Sequence, residues 1–301
     1  MSDLKKEPKC VIISAGSFVP VDIKLNEGDY LIACDAGFAY AEQLGLLPDL
    51  IVGDFDSTAE LGPQALRSLE EIAGADPGRI LRLDVRKDDT DTIKAVKIAL
   101  SKGYKKIYLY GALGGARFDH SFANVQTLLY IKHNGGTGYI MEHDKMLMIA
   151  ENETVKFNRG NTGYLSIFSL SEKSYEVTLK GLMYTLDNGT LTSDFPLGVS
   201  NEFIIDEEAE VSVGRGTLLI CIHFFEDTGA FIYYLEDSHN HKIYANIEFR
   251  KYYSNNISPY LSKIKFEEYD FSYKLNLNDI IKISDKKIYF AAIMNNDIYK
   301  S

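Results

Sequence analysis

In the first half of the chain, apolar residues come in short unbroken runs. Cys10-Val11-Ile12-Ile13, Tyr30 to Cys34, Leu50-Ile51-Val52, Ile80 to Leu83 and Ile107 to Tyr110 each read as a strand. Between them lie stretches with helical spacing. Gly37 to Leu44 is closed by Gly45, Ala59 to Ile72 ends around Gly74, and Phe118 to Lys132 follows a glycine-rich segment. Ile93, Val96, Ala99 and Leu100 mark one face of a further helix. Strands alternating with helices predict an open parallel α/β sheet, in which the loops at the carboxyl ends of the strands meet at one edge.

From Gly136 the texture changes. Thr137 to Met141, Met146 to Ile149, Gly163 to Ser169, Tyr175 to Leu179, Thr190 to Thr192 and Glu210 to Ser212 are short alternating runs. Turn residues separate them, as in Asn158 to Asn161 and Asp187-Asn188-Gly189, which is the pattern of an antiparallel β sandwich. Val211 to Phe224 reads as a terminal strand pair, and Pro196 to Phe203 as a loop between strands. Beyond about Glu226, Tyr, Asn, Ile and Lys become dense, with too many apolar residues for disorder. The expected division is an α/β domain over 1–135, a β sandwich over 136–225 and a small β-rich appendage over 226–301.

The loops of the α/β part carry the chemistry. Asp35 ends the second run, Asp54 and Asp56 follow the third, and Lys87-Asp88-Asp89-Thr90-Asp91 follows the fourth. Asp54 and Asp56 lie two apart, so on extended backbone they point the same way and can share one metal. Either Thr90 or Asp91 can cap the helix that follows, but one cap does not explain three carboxylates in four residues. Clustered carboxylates repel unless a cation compensates, and Mg²⁺, a hard ion, takes oxygen ligands together with substrate phosphates. Lys87 can contact a phosphate. After the fifth run comes Gly111 to Gly115, then Arg117, Asp119 and His120. Backbone N–H groups of such a loop can cradle an anion and Arg117 adds a planar donor fork, while His120 serves structure or catalysis equally well. The pattern predicts a metal-dependent phosphoryl-transfer site. No G-x-x-x-x-G-K-[ST] motif is present. In the second half, Ser200 and Asn201 either stabilise a turn or contact a ligand.

A formal net charge of −11 argues against nucleic acid or an anionic membrane as partner. The cysteines, Cys10, Cys34 and Cys221, lie in apolar runs without a C-x-x-C pair, as buried thiols of a reducing cytoplasm do. No apolar run is long enough to span a bilayer, and Met1 to Lys9 lack the apolar core of a signal peptide.

Taken together, Asp35-Ala36-Gly37, Pro48 to Ser57, Lys87 to Thr92, Gly111 to Asn124 and Leu197 to Phe203 resemble the thiamine pyrophosphokinase family of bacterial type, over roughly Lys9 to Phe224. The resemblance implies an α/β nucleotide-binding domain followed by a β sandwich. It also implies a homodimer with thiamine near its interface, and pyrophosphoryl transfer from Mg·ATP to thiamine. On that resemblance Asp54, Asp56 and Asp91 hold metal and polyphosphate, and Asp35, Lys87, Asp88, Arg117, Asp119 and His120 complete the ATP site. Ser200 and Asn201 take the thiamine side, and Asp91 or Asp119 accepts the hydroxyl proton. Ala116 makes the glycine loop one residue longer than the commonest form of the motif. With no Trp in the chain, a Tyr or Phe must pack on the thiamine ring. Two other readings share the motifs: a pyrophosphokinase for another heterocyclic alcohol such as a pterin, and a non-catalytic thiamine or nucleotide sensor.

Overall fold

The computed structural model describes residues 7–55, 58–84, 88–115, 117–225, 231–236, 242–247, 280–283 and 286–292. They fall into two compact units that meet in sequence between Phe224 and Phe225.

The first unit is organised on one 10-stranded sheet. Its parallel half contains β1 (Lys9–Ile13), β2 (Tyr30–Cys34), β3 (Leu50–Gly53), β4 (Ile80–Arg82), β5 (Lys106–Tyr110) and β6 (Thr137–Met141). The spatial order is β6-β5-β1-β2-β3-β4, with every neighbouring pair parallel. Side chains alternate between two buried faces, which is why these strands read as continuous apolar runs. On one face Cys10, Ile12, Ile32, Cys34, Leu50 and Val52 pack with residues of α3 (Asp91–Ser101) and α4 (Phe118–His133). On the other, Ala33 and Ile51 pack with α1 (Gly37–Gln43) and α2 (Thr58–Ala75), while Val11, Ile13 and Leu31 pack with α1 and the segment around Ile23. The helix expected from Ala59 is interrupted at Gly62 (φ 75°, ψ 162°), and Pro63 opens the longer part. Its fixed φ suits a first helical position and no interior one.

The antiparallel half continues without a break, because Thr137–Met141 is parallel to β5 on one side and antiparallel to β7 (Lys145–Glu151) on the other. Beyond β7 come β14 (Thr217–Phe224), β9 (Gly163–Ser169) and the edge strand β12 (Gly198–Glu202). A four-stranded sheet in the order β11-β10-β13-β8 covers this half, built from β11 (Leu186–Thr192), β10 (Lys173–Lys180), β13 (Ala209–Ser212) and β8 (Thr154–Phe157). Between the sheets lie Met148, Leu165, Ile167, Val177, Val211, Ile220 and Ile222. Leu147, Ile149 and Leu219, alternating with the sandwich residues on β7 and β14, join the core under α4.

Three local expectations change. Val211 to Phe224 is not a strand pair: β13 joins β8 and β10, while β14 joins β7 and β9 in the other sheet. Asp187-Asn188-Gly189 lies within β11, where Asn188 (φ 50°) sits at a register shift against β10 instead of reversing the chain. Gly198–Glu202, expected as loop, is a strand irregular at Ser200 (φ 58°). Asn tolerates left-handed backbone better than most residues and Ser is a common turn residue, so such bulges carry turn-like composition.

In the second unit the described strands are β15 (Phe231–Glu236), β16 (Lys242–Ile247), β17 (Ile280–Ile283) and β18 (Lys286–Ala292). They form an antiparallel sheet in the order β16-β15-β18-β17. Among the described residues no helix is long and apolar enough to cross a membrane.

Candidate active site

The chain runs outward from β1 to β4 and then returns to place β5 on the other side of β1. At such a reversal the loops beyond the strand ends part and leave a crevice. Ser14 N–H donates to Tyr110 O (2.8 Å), Gly16 N–H to Gly111 O (2.7 Å) and Ser17 N–H to Leu113 O (2.9 Å), so the β1 and β5 loops lie side by side. A Cβ at Gly16 would stand 2.5 Å from Gly111 O, a contact only glycine permits.

Asp35 leaves β2 in the left-handed region (φ 45°), its N–H bonded to Val52 O (3.0 Å). Its carboxylate lies across the end of β3: a Cβ on Gly53 would fall 2.0 Å from Asp35 Oδ1. Glycine at 53 thus makes room for Asp35 beside the root of Asp54. Phe55, also left-handed (φ 56°), is buried with Phe38, Ile51, Ala65 and Leu69, and the Arg82 guanidinium lies 5.2 Å over its ring. For an aromatic residue that backbone is rare, and the buried ring holds it. The geometric premise for pairing Asp54 with Asp56 therefore fails, because the backbone between them is not extended. Asp56 itself, like Lys87, lies outside the described residues.

Thr90 caps α3, its Oγ1 accepting the Ile93 N–H (3.3 Å), which leaves the Asp91 side chain free of that duty. The start of α3 is tied to the neighbouring strand ends. Cys34 Sγ donates to Asp91 O (3.6 Å), and the buried hydroxyls of Ser14 and Thr92 are 2.9 Å apart. Asp35 Oδ1 and Asp91 Oδ1 are both shut off from solvent. Asp35, Asp54 and Asp91 thus come from three segments to one edge of the sheet. Asp88 is exposed and, with Leu83, Asp84, Asp89, Lys94 and Lys97, lines a hollow of about 390 Å³. Among the described residues no three His, Cys, Asp or Glu side chains form a metal-holding group.

The glycine loop differs from the expected anion cradle. Leu113 N–H donates to Glu142 Oε1 (3.3 Å), Gly114 N–H to Ser121 Oγ (3.0 Å) and Gly115 N–H to Ser17 Oγ (2.7 Å). The loop's own protein supplies the oxygens that a phosphate would. Arg117 Nη2 is 2.5 Å from Asp119 Oδ2, with both side chains exposed, and that donor holds the Asp119 carboxyl below its ordinary range. His120 is exposed in the first turn of α4. Ser17 and Glu142 did not emerge from the sequence. Ser14-Ala15-Gly16-Ser17, a run of small residues directly after β1, is the signal that marks the former.

On β12, Asn201 is buried, and its amide embraces Tyr184. Oδ1 accepts the Tyr184 N–H (2.9 Å), and Nδ2 donates to Tyr184 O (2.6 Å). Ser200 is exposed, with its N–H on Ser166 Oγ (2.9 Å). Six strand spacings separate β12 from β1, roughly 30 Å at about 4.8 Å each. Within one chain the carboxylates and the Ser200–Asn201 pair do not meet.

Comparison with known proteins agrees with this arrangement. The family model for the thiamin pyrophosphokinase catalytic domain matches residues 22–139, and that for the thiamin pyrophosphokinase vitamin B1 binding domain matches residues 152–218. Thiamine pyrophosphokinase of Bacillus subtilis is 32% identical over 197 residues, which are 65% of this chain and 87% of the relative. The chain belongs to the thiamine pyrophosphokinase family. A crystal structure of the Bacillus subtilis thiamine pyrophosphokinase superposes with a TM-score of 0.63 at 26% identity, covering 72% of this chain and 99% of that one. The structure from Geobacillus thermodenitrificans gives 0.61 at 26% identity, covering 72% and 98%. The family's catalytic match takes in Asp35, Asp54, Asp91 and the glycine loop. Its vitamin B1 match takes in Ser200, Asn201 and Tyr184, and both matches end by residue 218.

Proposed function

We propose that this chain is a thiamine pyrophosphokinase that transfers the pyrophosphoryl group of Mg·ATP to the hydroxyl of thiamine, giving thiamine diphosphate and AMP. The observation that carries the reading is that Asp35, Asp54 and Asp91 stand along one edge of a parallel sheet whose family match is to a thiamin pyrophosphokinase catalytic domain.

The donor set fits Mg²⁺: hard carboxylate oxygens from separate segments, of the kind that hold this ion through one or two side chains plus substrate phosphates. Asp54 and Asp91, with Asp56, would be its protein ligands. When bound, the ion neutralises charge developing on the transferred group. The protein's own part is positioning. The buried ring of Phe55 fixes the backbone beside Asp54, and Thr90 and the Ser14–Thr92 contact fix the start of α3 at Asp91. Asp88 and Lys94 line the adjoining hollow, a place for polyphosphate and its counter-charges. Arg117 stands at the far side of the glycine loop with its fork on Asp119, an exchangeable partner for a phosphate oxygen. That pairing lowers the basicity of Asp119 while it lasts, and Asp91 or Asp119 takes the hydroxyl proton.

The reading includes a homodimer. Roughly 30 Å along the sheet separates Ser200 and Asn201 from the carboxylates of the same chain, far more than a thiamine molecule spans. A second copy that brings its β12 to the first copy's carboxylates would close that gap. Exposed Phe195, Leu197 and Val199, on and just before the edge strand, support such a contact. Cys10 and Cys34, buried thiols outside any disulfide, fit a cytoplasmic location.

The test is product analysis. Purified protein with Mg²⁺ and ATP is expected to release AMP only when thiamine is added, with thiamine diphosphate in equal amount. AMP release without thiamine, or with a pterin alcohol in its place, would overturn the assignment.

A further inference from the structure

We propose that Glu142 is a positioning residue of the active site: from the turn after β6, its carboxylate grips the glycine loop after β5 by backbone N–H groups and sets that loop against the loop after β1. The inference rests on reading the glycine loop as one wall of the ATP site.

The loop is held from several directions. Glu142 Oε1 accepts the Leu113 N–H at 3.3 Å, and the neighbouring Ala112 N–H also favours its charged form. Asn124 Nδ2 donates to Ala112 O at 2.7 Å, Ser121 Oγ accepts from Gly114, and Ser17 Oγ accepts from Gly115. Of the acceptors just named, only Glu142 ionises near neutral pH. The others hold the loop equally at all working pH values. Glu142 can tighten or release it, because an ionised carboxylate is a stronger acceptor than a protonated one.

Its surroundings place that change within reach. The side chain is half-buried, and burial pushes its pKa up to about 7, against the opposing pull of the Leu113 and Ala112 N–H groups. The charged groups that act on it are on its own turn: Lys145 favours the ionised form and Asp144 opposes it. Lys145 is paired with Asp144 at 2.6 Å, and Asp144 also lies 3.2 Å from His223 Nε2 of β14, so one carboxylate serves both neighbours. The glycine loop presents backbone N–H groups to it. Below about pH 7 the protonated carboxyl offers the loop one weak acceptor. Above it, the full carboxylate holds the Leu113 N–H more tightly and steadies the glycine loop against Ser17.

Glu142→Gln keeps the shape and a carbonyl acceptor but removes the charge. The full-length enzyme and this variant are compared by kcat/KM for ATP across pH, and their ratio cancels the titration of the nucleotide itself. The ratio is expected to be close to one near about pH 6 and to rise to about tenfold near about pH 8.5, with a midpoint near about 7. A purely structural role would lower the variant by the same factor at every pH, and that result would overturn the proposal. A second measurement needs no variant: in the wild-type chain the Ala112 and Leu113 amide resonances should move with a midpoint near about pH 7. Amides that stay still across that range would also overturn it, and they decide the matter if Glu142→Gln does not fold. Should the protein make no thiamine diphosphate, the functional reading fails, while the amide titration still reports on Glu142.

Discussion

In the parallel half of the large sheet, Asp35 and Asp54 stand just beyond the strand ends, whereas in the antiparallel half Ser200 and Asn201 stand inside a strand. The difference follows from what covers each half. β1, β2 and β3 are buried on both faces, so a charge has its place at their ends. β12 is an edge strand whose exposed residues, among them Val199 and Ser200, face away from the core, so a polar side chain can belong to it. The local hydrogen bonding differs too. Asn201 commits its amide to Tyr184, and the glycine loop commits its N–H groups to Glu142, Ser121 and Ser17. Asp35, by contrast, sits where a close-packed backbone has been cleared for it, as the 2.0 Å approach at Gly53 shows.

The sharpest break in that contrast is Asp54→Asn. Turnover at saturating Mg²⁺ should fall about 10²-fold or more with the unfolding midpoint little changed. Near-normal turnover would remove Asp54 from the chemistry. Asn201→Ala should act on the other substrate. Losing both bonds to Tyr184 loosens the segment that carries it, and thiamine KM should rise about tenfold to a hundredfold with ATP KM little changed. A raised ATP KM with an unchanged thiamine KM would undo the separation of the two regions. Mixing these two variants, assayed at thiamine well below the raised KM, sharpens the comparison further. If each site joins one chain's Asp54 to its partner's Asn201, every mixed dimer holds one intact site, and random exchange should restore about a quarter of wild-type activity. No recovery after proven subunit exchange would place both residues in one chain's site. Gly53→Ala comes next. Its Cβ displaces Asp35 and should lower kcat about tenfold, while overpacking costs about 1–3 kcal/mol of stability. The smallest effect is expected from a chain ending at Phe225. The first unit is compact on its own, so such a chain should fold and keep kcat within about twofold. An insoluble product would show that the second unit is needed.

Much of the parallel half was legible because its signals are local. A strand buried on both faces must be apolar throughout, and Tyr30–Cys34, expected as a strand, is one. Thr90, one of two candidate caps, is the cap. The antiparallel half was harder to read because bulges borrow the residues of turns. Asn188 and Ser200 both take left-handed backbone within strands, so turn composition there marked irregular pairing instead of chain reversal.

Sequence alone determined that carboxylates follow apolar runs at Asp35, Asp54 and Asp91, and the order of these motifs established the family resemblance. Both properties depend on residue type and spacing along the chain. Only the tertiary structure decided that one sheet carries both halves, that Gly53 yields its place to Asp35, that Asn201 serves Tyr184, and that Glu142 reaches the glycine loop. Each of these joins segments far apart in sequence through a contact of a few ångströms. Such contacts are set by packing and strand order, which no local pattern encodes.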